Sequence, residues 1–213
     1  MSLELELDKL LKIKTSGRDD SNSNLTNFPY EPTPYSVLQE LSNTLYISKQ
    51  DKIIDYGCGK GRVDFFLAYY NKAKMIGVEY DLRLFNKALE NHSKAISSNR
   101  VEFVNCCASK YEVPDDVTGA YFFNPFSIKI LKDVIINIKK SKERNNREIK
   151  LFFYYPSKEY LELISQNEDI VHLEDVDCMN LFKNKDKKEY IAIYKIWLLC
   201  LIDNHIFLKY KLS

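Results

Sequence analysis

The stretch DYGCGKGR, residues 55–62, sets three glycines at alternate positions behind an acid and a short apolar run. Main chain this bare, placed between a buried strand and a helix, lets a ligand lie directly against backbone atoms. KIIDYG (52–57) reads as that strand, and Val63, Phe66, Leu67 and Tyr70 share one face of the helix after it. The same beat continues outward. KMIGVEY (74–80), VEFVNC (101–106), GAYFFNP (119–125) and KLFFYYP (150–156) read as strands. Between them Leu82, Phe85, Leu89, His92 and Ile96, then Ile128, Leu131, Ile135 and Ile138, recur at helical spacing, and a further helix is expected at 158–167. Strand alternating with helix means a parallel sheet covered on both faces.

The beat changes after residue 168. DIVHLEDVDC (169–178) and KEYIAIYKIW (188–197) are strand-like, with only a short polar, lysine-rich stretch between them. Too few residues intervene for a crossover helix, so this pair is expected to be antiparallel. The fold class that follows is α/β: a doubly wound, mostly parallel seven-stranded sheet in the order 3-2-1-4-5-7-6, ending in an antiparallel C-terminal hairpin. The tail NHIFLKYKLS (204–213) alternates apolar and polar residues, as an edge strand does.

Upstream of the first strand, residues 1–15 suit a short amphipathic helix, and SGRDDSNSN (16–24) reads as a polar linker. FPYEPTPY (28–35) holds three prolines and is expected to be extended, with Thr33 and Pro34 opening a helix that carries Val37, Leu38, Leu41 and Leu45 on one face. The domain reading is an N-terminal flexible or helical extension at 1–27 and one domain at 28–213.

Composition narrows the function. A net charge of +1 over 213 residues offers no global field for nucleic acid. Residues 129–150 hold eight Lys/Arg against three Asp/Glu, a run that reads as a solvated face before it reads as a phosphate contact. Five cysteines without a CxxC pair, and three scattered histidines, give no metal-ligand spacing, so no metal is expected. The N-terminus lacks an apolar signal core, and no stretch reaches the ~18 apolar residues of a membrane helix, so a cytoplasmic protein without a membrane partner is expected.

The glycine loop discriminates between cofactors. A dinucleotide loop needs a small residue where this chain has Arg62 or, in the other register, Asp64. What remains is acid-x-Gly-x-Gly-x-Gly, with a second acid, Glu79, at the end of the next strand. Over roughly residues 50–197 this pattern resembles the class I S-adenosylmethionine-dependent methyltransferases. The resemblance implies a cofactor site of Asp55, Gly57, Cys58, Gly59 and Gly61, with Asp55 toward the ammonium group and Glu79 toward the ribose hydroxyls. A carboxylate with two acceptor oxygens suits a vicinal diol. It implies Tyr80 against the adenine and Cys107 where the family often has an acid. It also implies a substrate-facing Asn124, Pro125 and Phe126 after strand four, similar to the Asn-Pro-Pro-aromatic motif of amino-group methyltransferases; Asn124 would border the cofactor too. Tyr30 and Tyr35, before strand one, fall where relatives carry a lid, and Tyr154 and Tyr155 on the same rim. Such a reaction needs alignment more than acid–base groups. The methyl acceptor is not named by these residues: a nitrogen of a small molecule or protein is expected, with nucleic acid or a non-catalytic cofactor-binding role as alternatives.

Overall fold

The structure is a computed structural model describing residues 2–21, 28–182 and 189–197. Its elements run α1 (Leu3–Leu11), α2 (Tyr35–Asn43), β1 (Lys52–Tyr56), α3 (Arg62–Tyr70), β2 (Lys74–Glu79), α4 (Leu82–His92), β3 (Val101–Asn105), β4 (Gly119–Phe122), α5 (Ile128–Arg144), β5 (Ile149–Tyr154), α6 (Lys158–Ser165), β6 (Ile170–Asp177) and β7 (Tyr190–Ile196). The seven strands form one sheet in the order β3-β2-β1-β4-β5-β7-β6, as expected. Strands β1 to β5 are parallel to one another, and β7 lies antiparallel between β5 and β6. The tail at 204–213 and the lysine-rich stretch at 184–188 lie outside the described residues.

Two-residue alternation sorts the central strand. Ile53 joins the core under α1, α2 and α3, while Ile54 and Tyr56 join the core under α5 and α6. On that second face Tyr56, Phe122 and Phe153 stack across β1, β4 and β5, with centroids 5.3 and 4.7 Å apart and planes within 9° and 12°. Stacks of this kind add about 0.5–1.5 kcal/mol per pair beyond simple burial. Edge strand β6 is mostly exposed, carries Glu174, Asp175 and Asp177, and is interrupted by a bulge between His172 and Glu174.

Several local expectations shift. α4 buries Leu84, Ala88 and Asn91 and leaves Leu82 and Leu89 outside; Asp81 caps its start by accepting from the Arg83 N–H at 2.9 Å. Ile96 lies beyond the helix and is exposed, while His92 is half-buried with its ring 3.0 Å from the Val101 carbonyl. Leu45 is exposed past the end of α2, in a left-handed turn. Thr33 does not cap α2; its hydroxyl lies 3.0 Å from the Tyr121 hydroxyl, and Pro34 takes the cap position.

The stretch expected as an N-terminal extension, 1–27, packs as follows where it is described. Helix α1 forms, but Leu7, Leu11 and Ile13 belong to the main core. Buried Asp8 ties this segment down. Its Oδ1 accepts from the Tyr35 hydroxyl and the Thr15 hydroxyl, both at 2.6 Å, and its Oδ2 from the Thr15 N–H at 2.8 Å. Arg62, at the start of α3, donates to Thr15 Oγ1 at 2.7 Å, pairs with Glu4, and stacks over the Tyr35 ring at 4.3 Å. Removing one partner from a buried charged network costs about 3–5 kcal/mol, because the others stay desolvated. Asp8→Ala is therefore expected to destabilise the folded chain by that amount, measured by urea unfolding; a loss below about 1 kcal/mol would show the N-terminal helix to be peripheral.

Candidate functional site

The carboxyl ends of β1, β2 and β4 open into a crevice of about 980 Å³, counted out into the solvent at its mouth. Its floor is the glycine loop. Gly57 and Gly59 have left-handed backbones, φ 76° and 56°. A Cβ at Gly57 would strike Pro125, and one at Gly59 would strike the Tyr30 ring, so both positions exclude a side chain twice over, by conformation and by space. The loop is held from β2: the Gly57 N–H donates to the Val78 carbonyl at 2.8 Å, and the Gly59 N–H donates to Glu79 Oε2 at 2.8 Å.

Glu79 ends β2 and lines the crevice, 7% exposed. Its second oxygen, Oε1, accepts from the Asp81 N–H at 2.8 Å. The carboxylate is thus clamped by one backbone donor on each oxygen, and each oxygen keeps an acceptor lone pair. Burial pushes Glu79 above the ordinary carboxylate range, against the opposing pull of those N–H groups. Asp55, at 3% exposure on the last turn of β1, is pushed up to about 7, first by burial and then by Glu79, with Asp64 working the other way. Asp64 is wholly buried and pushed well above its usual value by burial and by Asp55. Burial, with Asp64, Glu79 and Asp55 nearby, raises the Cys58 thiol as well, so it stays protonated and is no nucleophile.

Of the residues singled out from sequence, Asp55, Gly57, Cys58, Glu79, Tyr80, Pro125, Phe126 and Tyr30 line the crevice. Gly59 lies beneath Tyr30, and Gly61 is the N-cap of α3. Tyr30 covers the loop, with its hydroxyl donating to the Thr15 carbonyl at 2.6 Å and Lys60 Nζ 4.7 Å from its ring centroid.

The other residues singled out from the sequence are placed outside the crevice or engaged by other groups. Asn124 does not line the crevice: its Nδ2 donates to the Tyr155 carbonyl at 2.5 Å and its Oδ1 accepts from the Ser157 N–H at 3.1 Å. Its carboxamide joins the loops after β4 and β5, at a φ of 40°. The Pro125 carbonyl already accepts the Phe28 N–H at 3.2 Å. Cys107 stays outside the crevice with its sulfur 3.2 Å from the Ser109 hydroxyl, while Cys106 and Ala108 line it. Tyr35 and Tyr154 are buried, bonded to Asp8 and Glu189, and so form no rim; Tyr155 packs against the core.

Sequence reading did not single out Thr33, Tyr56, Arg62, Asp81 or Tyr121 as lining residues. Arg62 and Asp81 carried a signal, a charge adjoining each motif; Thr33 and Tyr121 are joined only by the fold. The Tyr56 hydroxyl is buried with no partner among the described residues, a donor and acceptor left for whatever fills the crevice. The wall charges are lopsided. The wall carries Asp19, Glu31, Asp55, Glu79 and Asp81 against one cation, Arg62; Arg62 is paired with Glu4, while Asp81 and Asp19 lie against Arg83 and Glu31 against Arg18. The basic run of α5 and beyond is largely engaged elsewhere: Lys139 with Asp169, Arg144 with Asp115, Lys142 and Arg147 with backbone carbonyls, and Lys150 with Asp51. No group of metal-ligating side chains occurs among the described residues, and no described helix is long and apolar enough to cross a membrane.

A doubly wound sheet with an antiparallel β7, a glycine floor and a clamped acid at the end of β2 defines a nucleoside-binding α/β domain. Residues 47–153 match the methyltransferase-domain family over half of the chain, and the protein belongs to that family. It is 26% identical over 105 residues to wheat (Triticum aestivum) phosphoethanolamine N-methyltransferase 1, covering 49% of this chain and 19% of the relative. It is 32% identical over 83 residues to a protein-lysine N-methyltransferase of Saccharolobus islandicus, covering 38% of this chain and 52% of the relative. The match thus spans about a fifth of the first relative and about half of the second. In fold it is similar to an RNA methyltransferase of Salinibacter ruber in complex with S-adenosyl-L-homocysteine (TM-score 0.57, 18% identity, 81% of this chain and 98% of that one). A SAM-dependent methyltransferase of Aquifex aeolicus is similar too (TM-score 0.59, 14% identity, 78% and 94%).

Three buried carboxyls with raised values make the ligand-free protein sensitive to alkali. Where the folded form holds a proton that the unfolded chain has released, stability falls as pH rises, here from the ordinary carboxylate range upward through the raised values. Asp64→Asn removes one such group. It is expected to raise Tm at about pH 8 and to leave it nearly unchanged at about pH 4, as read by thermal unfolding at both.

Proposed function

We propose that this protein binds S-adenosyl-L-methionine in the crevice and transfers its methyl group to an amine nitrogen. The observation that carries the reading is the clamped Glu79 beside the bare glycine floor. An acid whose two oxygens are fixed by the Gly59 and Asp81 N–H groups is oriented before any ligand arrives, as recognition of a vicinal diol requires. The residues fit the group. Gly57 and Gly59 take left-handed backbone that carries no side chain, the Tyr56 hydroxyl has no partner among the described residues, and the Asp55 and Glu79 carboxyls on the wall suit a cationic nucleoside. When bound, the cofactor would supply a methyl on a sulfonium leaving group. Asp55 would face its ammonium, Glu79 its ribose, and Tyr80 with Ala108 its base, while Pro125, Phe126 and Tyr30 exclude water from the reacting end.

The relatives named above act on amines, by their names, and the wall charges bear on which kind suits this crevice. A phosphorylated amine needs a free cation for its phosphate. Arg62 is the only cation on the wall among the described residues, and it is paired with Glu4. A positively charged amine without phosphate, such as a lysine side chain, fits the acidic wall better. A base within the crevice would help such an amine shed its proton.

S-adenosylhomocysteine is expected to bind with a Kd near 1 μM, about −8 kcal/mol, by calorimetry. Asp55→Ala and Glu79→Ala are each expected to weaken it at least tenfold, about 1.4 kcal/mol. Labelled methyl from the cofactor should pass to lysine-bearing protein in preference to phosphoethanolamine; the reverse preference would refute the acceptor assignment.

A further inference from the structure

Most buried donors of the crevice wall are already spent. The N–H groups of Gly57 and Cys58 both go to the Val78 carbonyl, at 2.8 and 3.3 Å, that of Gly59 to Glu79, and that of Gly61 to the Cys58 carbonyl at 2.9 Å. Arg62 is divided among Glu4, Thr15 Oγ1, Ser16 Oγ and the Thr33 carbonyl. The Tyr30 hydroxyl goes to the Thr15 carbonyl. Among the described residues, two buried hydroxyl protons of the wall remain. One is that of Tyr56. The other belongs to a pair. Thr33, in the extended strap before α2, and Tyr121, in β4, both line the crevice, at 3% and 1% exposure, and their hydroxyl oxygens lie 3.0 Å apart. Each hydroxyl carries one proton and two lone pairs. Whichever of the two donates, their bond uses one proton, and the second has no acceptor among the described residues.

The sheet separates these two uncommitted donors. Register partners on parallel strands turn their side chains to the same face, and successive residues to opposite faces. Tyr121 is the partner of Asp55, so both side chains leave the sheet on the face of α1, α2 and α3. Tyr56, the next residue along β1, packs on the other face with Ala108 and Phe126. The hydroxyl pair thus stands at the Asp55 end of the crevice.

We propose that the hydroxyl pair of Thr33 and Tyr121 receives the carboxylate of the bound nucleoside's amino-acid tail, beside the ammonium that Asp55 faces. The inference rests on the cofactor reading above and adds two binding residues that the glycine motif does not include.

An α-amino acid is a zwitterion, and a site for it must answer both signs. Asp55 answers the ammonium alone. A carboxylate drawn into a buried site without donors loses its hydration and gains nothing in return. A neutral donor is enough here, because the ammonium of the same tail cancels its net charge. A hydroxyl that donates to a second hydroxyl strengthens the outward bond of that second one, so the pair acts as a short chain ending on the carboxylate. Its position is fixed from both sides. Arg62 Nη1 holds the Thr33 carbonyl at 3.2 Å, Pro32 and Pro34 flank Thr33, and Tyr121 belongs to a strand paired on both edges. Burial keeps the Tyr121 phenol protonated, so the donor persists at neutral pH.

Two ligands separate this proposal from the cofactor reading. S-adenosylhomocysteine carries the whole tail. Its decarboxylated analogue, an adenosyl thioether ending in a propylamine, keeps the nucleoside and the ammonium and lacks only the carboxylate. Binding of both is measured by calorimetry to wild type, Thr33→Val, Thr33→Ser, Tyr121→Phe and the double variant Thr33→Val/Tyr121→Phe. Wild type should prefer S-adenosylhomocysteine by about tenfold or more, the scale of a hydrogen bond to a charged group. Thr33→Val and Tyr121→Phe each leave one hydroxyl proton, and each should reduce that preference about threefold. The double variant leaves none. It should lose the preference, with S-adenosylhomocysteine weakened about tenfold or more, while the analogue binds within about twofold of wild type and reports an intact fold. Thr33→Ser, which keeps the hydroxyl, should keep the preference. A double variant that weakens both ligands alike, or that retains the wild-type preference, would overturn the proposal. Where the double variant does not fold, Thr33→Val is set against Thr33→Ser, and equal preference in the two overturns it. Wild type that binds the two ligands equally would overturn the carboxylate contact while sparing the nucleoside site. Failure of wild type to bind either ligand would overturn the cofactor reading, and this proposal with it.

Discussion

The hydrogen bond from the Gly59 N–H to Glu79 fastens the end of β2 to the loop after β1, and the rest of the site is arranged around that joint. Parallel strands give neighbouring carboxyl ends but do not by themselves fix the loops that leave them. Here the Gly57 N–H takes the Val78 carbonyl, Gly59 takes the Glu79 side chain, and the Asp81 N–H closes the other side of that carboxylate. The glycines are required because the chain must turn left-handed twice within the space that Pro125 and Tyr30 leave open. Asp55, carried on the strand just before, is delivered to the crevice by register alone, opposite Gly77 of β2 and Tyr121 of β4.

The N-terminal segment belongs to the same assembly. Its helix enters the core through Leu7 and Leu11, and Asp8, Thr15 and Arg62 link it to the first turn of α3, immediately beyond the glycine loop. The strap that follows crosses the crevice, paired with Asp19 through Tyr30 and bonded to Pro125 through Phe28. A wall made from one end of the chain is thus held both to the loop after β1 and to the loop after β4.

Strand order, strand direction and the two acids that line the crevice beside the glycine loop were legible in the sequence because they rest on local signals: apolar runs, alternating periodicity, and glycines at fixed spacing. Asp55 and Glu79 each flank such a signal. What failed to show was decided by long-range contact. Asn124 reads as a substrate acceptor until the fold brings Tyr155 and Ser157 to it, 31 and 33 residues away. Tyr35 and Tyr154 read as rim tyrosines until Asp8 and Glu189 claim their hydroxyls. The inner face of α4 was misjudged because leucines are not obliged to be buried; Asn91 faces inward because its carboxamide bonds the Lys14 and Lys60 carbonyls. Thr33 and Tyr121 share no local signal, being 88 residues apart until the fold sets their hydroxyls 3.0 Å from each other.

Edge strand β6 shapes how the molecule meets others. A sheet margin with open N–H and C=O groups recruits any extended chain that matches its spacing. The bulge between His172 and Glu174 breaks that spacing, and Glu174, Asp175 and Asp177 place like charge along it. An incoming strand would lose register at the bulge and meet anionic repulsion on either side of it. Among the described residues the sheet has seven strands, and the bulge and the like charges work against self-templating through this margin, the usual route from an exposed strand to insoluble fibre.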